Sequence, residues 1–306
     1  MRILFAGSGA FGLPTLEALR QAGHEVVQVY TQPNRSAGRG KTLTPTPVAE
    51  FAIKQNLPLI RTDRLNSEAL PEADVLVVIA FGQKISQAMA NHFRLGSVNL
   101  HASLLPKYRG AAPINWAIIR GETETGNSVI RLADRMDAGA VLGQSHLQIG
   151  EIQTAEDLYG RLAIDGAQLM ERVLDDLAIG RAVESPQDES QATTAPKLSR
   201  ETARIDWNRG AKQIVCLIRG LSPWPGCRVR LLDTDAKEVG RLTLLRARAS
   251  EISNLKPGQI CRNGMIAATD GAVEILELQP EGKRPMSLTD FQNGKPWHEG
   301  MSVESI

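Results

Sequence analysis

The sequence predicts an α/β protein: a Rossmann-like open, mostly parallel sheet with helices on both faces, followed by a small C-terminal β-barrel. Three observations predict it. Arg2-Ile3-Leu4-Phe5-Ala6, the turn Gly7-Ser8-Gly9-Ala10-Phe11-Gly12, a helix-like segment through Leu19 and a second strand from Glu25 to Tyr30 form a strand–turn–helix–strand unit, which implies a parallel pair. Val75-Leu76-Val77-Val78-Ile79-Ala80 is a continuous apolar run of the kind buried on both faces of a parallel sheet. Past residue 200, short alternating runs at 228–232, 241–247, 258–261 and 273–278 are separated by Gly, Pro and Asp, as in a small barrel.

The 306 residues suit two domains better than one. A net charge of +1 argues neither for nor against nucleic acid, so charge has to be read regionally. From Ser199 to Ser250 there are 11 Lys and Arg against 5 Asp and Glu, beside Trp207 and Trp224. That excess suits an anionic partner, or is a solvated basic face. The longest apolar run, Val75 to Phe81, falls far short of the roughly 18 residues that suggest a membrane span. The expectation is therefore no membrane. Residues 1–8 read as a strand, with no basic, apolar leader before them. Cys216, Cys227 and Cys261 are odd in number and lack CxxC spacing, so neither a disulfide framework nor a zinc site is expected. A reducing, cytoplasmic setting follows.

Taken in order, Gly7, Gly9 and Gly12 match GxGxxG, but the second strand ends in Tyr30-Thr31-Gln32-Pro33 without the carboxylate a dinucleotide site needs. NAD is not expected. Asn34 to Pro47 is a long polar loop in which Arg35, Arg39 and Lys41 suit a phosphate backbone, with a solvated surface loop as the alternative. A helix follows from Pro47 to Lys54, then a strand from Leu57 to Arg61, the buried run at 75–80, and a helix around 86–93. A strand at 96–101 leads into a loop, a helix over 111–120 and strands at 127–132 and 141–149. Thr154 and Asp157 resemble a capping box opening a long helix to about Ile179. Pro186 to Arg200 has lost hydrophobic periodicity and reads as a linker, before a helix over 209–221 and the sharp turn Ser222-Pro-Trp-Pro-Gly226.

Ligands of open α/β sheets lie beyond the carboxyl ends of the strands. Asn99, His101 and Asp137 stand at such ends. Asn99 and His101 are two apart in a strand and so share a face, where a polar pair needs hydrogen bonds or a cleft. An amide can donate to an oxyanion, an imidazole can donate or shuttle a proton, and a carboxylate can receive one. No GxSxG elbow surrounds Ser103, so it is a poor nucleophile candidate. His24, His92, His146 and His298 have no partners at metal-ligand spacing, and no metal is expected. On residues alone, transfer or hydrolysis at a carbonyl stands beside a merely structural His–Asp pair.

Asn99-Leu-His101-Ala-Ser-Leu-Leu-Pro106-Lys-Tyr-Arg109-Gly-Ala-Ala-Pro113, followed by Asp137-Ala-Gly139, resembles the formyltransferases that use 10-formyltetrahydrofolate. The resemblance runs nearly the whole length and is strongest to the branch acting on methionyl-tRNA. Gln32 to Lys41 looks like that branch's tRNA-contacting insertion; Lys197-Leu198-Ser199, Ala203 to Trp207 and Pro223-Trp224-Pro225 look like the start of its C-terminal domain. The resemblance implies a catalytic domain over 1–185, a linker over 186–203 and an OB-like tRNA-binding barrel over 204–306. It implies Asn99, His101 and Asp137 as catalytic residues, and Ser103, Leu104, Leu105, Pro106, Ala80, Phe81 and Gly82 as the folate-binding surface. Arg35, Arg39 and Lys41 would bind tRNA. The implied partners are initiator methionyl-tRNA and the formyl-donor folate, and the chain is expected to act as a monomer. Ala102 stands where the family usually has Gly, and Ala138 and Ala140 depart from its Asp-Thr-Gly-Asp run. The main rival is a relative acting on an amino-sugar nucleotide; glycinamide ribonucleotide or water is the acceptor in other rival readings, the second domain argues against a purine-pathway enzyme, and the intact trio argues against an inactive RNA-binding module.

Overall fold

A strand such as Val75–Ile79, apolar at all five positions, needs cover on both faces, and the chain alternates strands with helices. The computed structural model describes residues 1–37, 42–250 and 255–306. They group into two units: Met1–Gly110, Gly126–Leu147 and Tyr159–Thr194 in one, Ala111–Thr125, Gln148–Leu158 and Ala195–Ile306 in the other.

The first unit is built on a seven-stranded sheet. Its strands are β1 (Arg2–Gly7), β2 (Glu25–Thr31), β3 (Leu59–Arg61), β4 (Val75–Ile79), β5 (Ser97–His101), β6 (Glu124–Arg131) and β7 (Val141–Gln148). They lie in the order β7-β6-β5-β4-β1-β2-β3. β3, β2, β1, β4 and β5 run parallel, and β6 is antiparallel to β5. On one face Leu4, Ala6, Leu76 and Val78 pack with Tyr30, Ile85, Met89 and Phe93. The alternate residues Ile3, Phe5, Val77 and Ile79 are equally inaccessible, so the sheet is covered on both sides.

Helices α1 (Leu13–Gln21), α2 (Pro47–Lys54), α3 (Gln87–Ala90), α4 (Pro113–Ile119) and α5 (Ala155–Ala178) separate the strands. α2 matches its expected bounds, since Thr46 caps it by accepting from Ala49 N and Pro47 occupies the first turn. The following strand begins at Leu59 rather than Leu57. Asn56 adopts φ 53°, Asn56 N bonds Ile53 O and Leu57 N bonds Ala52 O, a Schellman closure that takes residues 56 and 57 into the helix stop. The expected box at α5 is present: Thr154 N donates to Asp157 Oδ2 at 2.9 Å, and Asp157 N to Thr154 Oγ1 at 3.3 Å.

Two expectations need correction. Asn34 to Pro47 is not a plain loop: Arg35–Ala37 pairs antiparallel with Thr42–Thr44. Gly38, Arg39, Gly40 and Lys41 lie outside the described residues. The segment 186–203 is also no free linker, because Thr193 O accepts from Arg109 N at 2.8 Å and Thr193 Oγ1 from Tyr108 N at 2.9 Å. Up to Thr194 it belongs to the first unit.

The second unit contains α6 (Ala211–Gly220) and a sheet of β8 (Cys227–Leu232), β9 (Glu238–Ser250), β10 (Ile266–Ala267), β11 (Ala272–Pro280), β12 (Met286–Ser287) and β13 (Ser302–Ser305), with the short helix α7 (Leu288–Gln292). The order is β10-β11-β9-β8-β13, and β12 pairs β11. The run at 258–261 forms isolated bridges instead of a full strand. Gln259 bridges Ser302 in β13 and Ile260 bridges Ile266 in β10, which closes the sheet on itself as an OB-like barrel. β8 alternates buried Cys227, Val229 and Leu231 with exposed Arg228 and Arg230. The inward set packs with Ile214, Ile218, Leu244, Val273, Trp297 and Val303. Burial pushes the Cys227 thiol up to about 12, so it is an inert core residue.

Candidate active site

β5 ends at His101, paired through Asn99 with Val78 near the end of β4. Both strands therefore deliver their next residues to the same carboxyl edge of the sheet. Asn99 is half-buried, and among the described residues nothing hydrogen-bonds its amide. His101 is buried on the same strand face. Its Nε2 lies 2.9 Å from Tyr108 O. A carbonyl only accepts, so Nε2 carries hydrogen and Nδ1 is the nitrogen left for chemistry. Nδ1 faces Asp137 Oδ2 at 3.6 Å, with the side chains only 8% and 14% exposed.

Asp137 arrives from the loop between β6 and β7 in the left-handed conformation, at φ 55°. Gly110 N donates to its Oδ2 at 2.8 Å. Gly139 permits the loop's return: a Cβ there would stand 1.8 Å from Arg131 O. Tyr108 also has positive φ, 63°, an outlier for a bulky residue that aims its carbonyl at His101.

The loop after His101 is fixed by Ser128 and Gln144. Ser128 Oγ donates to Ser103 O at 2.7 Å and accepts from Leu105 N at 3.0 Å and Gln144 Nε2 at 2.8 Å. Gln144 Nε2 also donates to Leu105 O at 3.0 Å. Ser103 itself is fully buried, and its hydroxyl donates to Lys107 O at 2.7 Å. Its side chain therefore shapes the loop and offers no face to a ligand. Leu105 is buried, while Leu104 and Pro106 are half-buried. Ala80 and Gly82 are exposed and Phe81 is buried. Residues 80–82 follow β4 and residues 104–106 follow β5, so both stretches leave the sheet at the edge where β5 ends in His101.

The glycine turn serves packing. Ser8 N and Gly9 N both donate to Ala80 O at 3.3 Å, so the amides a pyrophosphate would need are engaged. A Cβ on Gly7 would meet the Phe5 ring at 2.7 Å and Ile79 O at 2.9 Å. Ser8 Oγ donates to Phe81 O at 3.2 Å and Gln32 Nε2 to the same oxygen at 3.3 Å. Gln32 Oε1 in turn accepts from Arg35 Nη2 at 3.2 Å. Of the expected tRNA-binding residues Arg35 is therefore placed, exposed at the hairpin root, while Arg39 and Lys41 lie outside the described residues.

Residues missed in the sequence act mostly through polar or main-chain atoms: Tyr108 O, Gly110 N, Ser128 and Gln144. Arg109, only 9% exposed, joins Glu189 through Nη1–Oε2 at 3.1 Å and Nη2–Oε1 at 2.9 Å. That hydrogen bond, with Arg135 beside it, holds the Glu189 carboxyl below its usual range. Among the described residues no three His, Cys, Asp or Glu side chains gather at a metal-binding distance, and no helix is long and apolar enough to cross a membrane.

The family model described as Formyl transferase matches residues 1–174, and that described as Formyl transferase, C-terminal domain, matches 197–296. The chain belongs to the formyl transferase family. It is 42% identical to a methionyl-tRNA formyltransferase of Acidobacterium capsulatum and 41% identical to one of Methylococcus capsulatus, covering 96% of this chain and 96% of each relative. Among solved structures it is similar to the N-formyltransferase from Helicobacter canadensis in complex with folinic acid and dTDP-3-aminofucose, with a TM-score of 0.69 at 17% identity over 89% of this chain and 97% of that one. HypX from Aquifex aeolicus in complex with tetrahydrofolic acid gives 0.61 at 19% identity, over 95% of this chain and 46% of that one. At such identities the structures attest the fold, and the family membership rests on the sequence matches.

Proposed function

We propose that this enzyme transfers the formyl group of 10-formyltetrahydrofolate to the free α-amino group of initiator methionyl-tRNA. The observation that carries the chemistry is the buried His101–Asp137 pair beside the open Asn99 amide, at the carboxyl edge of the sheet. The acceptor is supported by relatives named methionyl-tRNA formyltransferase that match through the barrel as well as the first unit.

The residues divide the work as follows. Leu104, Pro106, Ala80 and Gly82 form the wall for the folate rings. Asn99 donates to the formyl oxygen as the amine adds to the formyl carbon. His101 keeps Nε2–H on Tyr108 O, and a proton on Nδ1 serves the developing oxyanion. The 3.6 Å gap to Asp137 exceeds hydrogen-bond length, so the carboxylate does not engage the Nδ1 proton in a full hydrogen bond and leaves it to the substrate oxygen. The Asp137 carboxylate offsets the imidazolium charge. Its Oδ1, which no donor reaches among the described residues, receives the proton released by the ammonium. The proton passes to the folate nitrogen as its bond to the formyl carbon breaks, leaving formyl-methionyl-tRNA and tetrahydrofolate. Arg35, Arg39, Lys41 and the basic second domain would hold the acceptor RNA largely by its phosphates.

The test offers the protein 10-formyltetrahydrofolate with charged initiator tRNA, an amino-sugar nucleotide, or water. Formylation of methionyl-tRNA at a rate far above the other two is the expected result. Preferential consumption with the amino sugar would reassign the acceptor and keep the chemistry.

A further inference from the structure

Gln187 lies in the segment that sequence alone presents as a linker, yet its amide has every hydrogen-bonding position filled. Nε2 donates to Asp137 O at 2.7 Å and to Gly139 O at 2.8 Å. Oε1 accepts from Arg109 Nε at 3.0 Å and Nη2 at 2.6 Å. Chemistry fixes the amide's orientation, since carbonyls only accept and a guanidinium only donates.

These bonds close a ring around the site. Gln187 holds the main chain of Asp137 and the side chain of Arg109; Gly110, next in the chain, donates to the Asp137 carboxylate. Glu189 grips Arg109 through two hydrogen bonds and also accepts from Arg135. Thr193 of the same segment holds Tyr108, whose carbonyl fixes His101 Nε2. Asp137 has φ 55°, a region that side chains with a Cβ disfavour. It persists where neighbours over-determine it, and the neighbour bonding its own carbonyl is Gln187.

We infer that Gln187 is a positioning residue for formyl transfer: it holds Asp137 in the left-handed conformation that turns its carboxylate to His101 Nδ1. The inference rests on the reading of Asn99, His101 and Asp137 as the reacting groups.

Gln187→Glu tests it in the full chain. That variant keeps an acceptor for Arg109 and loses both donors to the Asp137 and Gly139 carbonyls. With 10-formyltetrahydrofolate and methionyl-tRNA, kcat should fall about ten- to a hundredfold, while KM for each substrate stays within about threefold and the variant remains folded by circular dichroism. In an Asp137→Asn background the same substitution should lower kcat no further, because the group it positions is gone. The His101 ring resonance, assigned by its loss in His101→Gln, should move in Gln187→Glu toward its place in Asp137→Asn. An unmoved resonance, or a loss of kcat equal in both backgrounds, overturns the inference. A wild-type chain that transfers no formyl group overturns the reading beneath it, and the resonance still decides whether Gln187 sets the pair.

Discussion

His101 and Asp137 face each other at 3.6 Å while the far nitrogen of the imidazole is held by Tyr108 O. The pair is oriented from both ends: Tyr108 fixes the ring, and Gly110 N fixes the carboxylate. One imidazole nitrogen is therefore structural and the other is available for chemistry. Asn99, on the same strand face, adds a second donor that has no partner among the described residues.

Asn99→Asp tests that donor with almost no change in volume. It replaces an N–H with a carboxylate oxygen where negative charge develops. kcat should fall by about 10²–10³, the scale of losing one oxyanion donor, with folding unchanged by circular dichroism. Retention of full kcat would remove Asn99 from the oxyanion side.

Ser128→Ala removes the hydroxyl that ties Ser103 O, Leu105 N and Gln144 together. Leaving those buried groups without partners should destabilise the first unit by about 1–3 kcal/mol. Loosening the loop should raise KM for the folate more than KM for tRNA. Chemical denaturation and steady-state kinetics read the two effects separately.

Arg35→Ala and Arg39→Ala should each raise KM for methionyl-tRNA and leave turnover on a minimal amine acceptor unchanged. If these side chains meet phosphates, the slope of log affinity against log salt becomes shallower by about one per contact. Unchanged tRNA kinetics and salt slope would remove Arg35 and Arg39 from the RNA-binding surface.

Asp157 supplies a pH-dependent part of stability. The hydrogen bond from Arg246, then those from Thr154, hold its carboxyl below the usual range against the opposing effect of burial. With the folded value depressed, the stabilisation is complete above the unfolded value near ~3.9 and is lost as pH falls through the folded one. Asp157→Asn should lower stability by about 1 kcal/mol at pH 7, a modest effect because the pair is partly solvated. The gap between variant and wild type should close toward pH 3, measured by thermal or urea unfolding.

Where a structural feature uses side chains with strong local preferences, the sequence displays it. Pro47 and Thr46 mark the start of α2, Thr154 and Asp157 the start of α5, and the apolar run at 75–79 marks a strand covered on both faces. Asn99 and His101 mark a candidate site through polar residues at period two. The strand at Leu59 is shifted from its expected start because a helix stop at Asn56 occupies the preceding residues. Residues 186–194 escape notice for a different reason. Their attachment is by hydrogen bonds that Gln187 donates to the Asp137 and Gly139 carbonyls and that Glu189 and Thr193 accept, and such bonds leave no hydrophobic period. The supports of the His101–Asp137 pair, Tyr108 O and Gly110 N, are main-chain atoms, which every residue type but proline carries.

In the proposed reaction His101 and Asp137 act on the formyl group and do not serve to bind RNA. Single-turnover formyl transfer by His101→Ala and Asp137→Asn, measured beside the Kd of each variant for methionyl-tRNA, tests it directly. The expected result is a rate lowered by about 10²–10⁴ with Kd unchanged. A fall in RNA affinity matching the fall in rate, or a rate close to wild type, would contradict it.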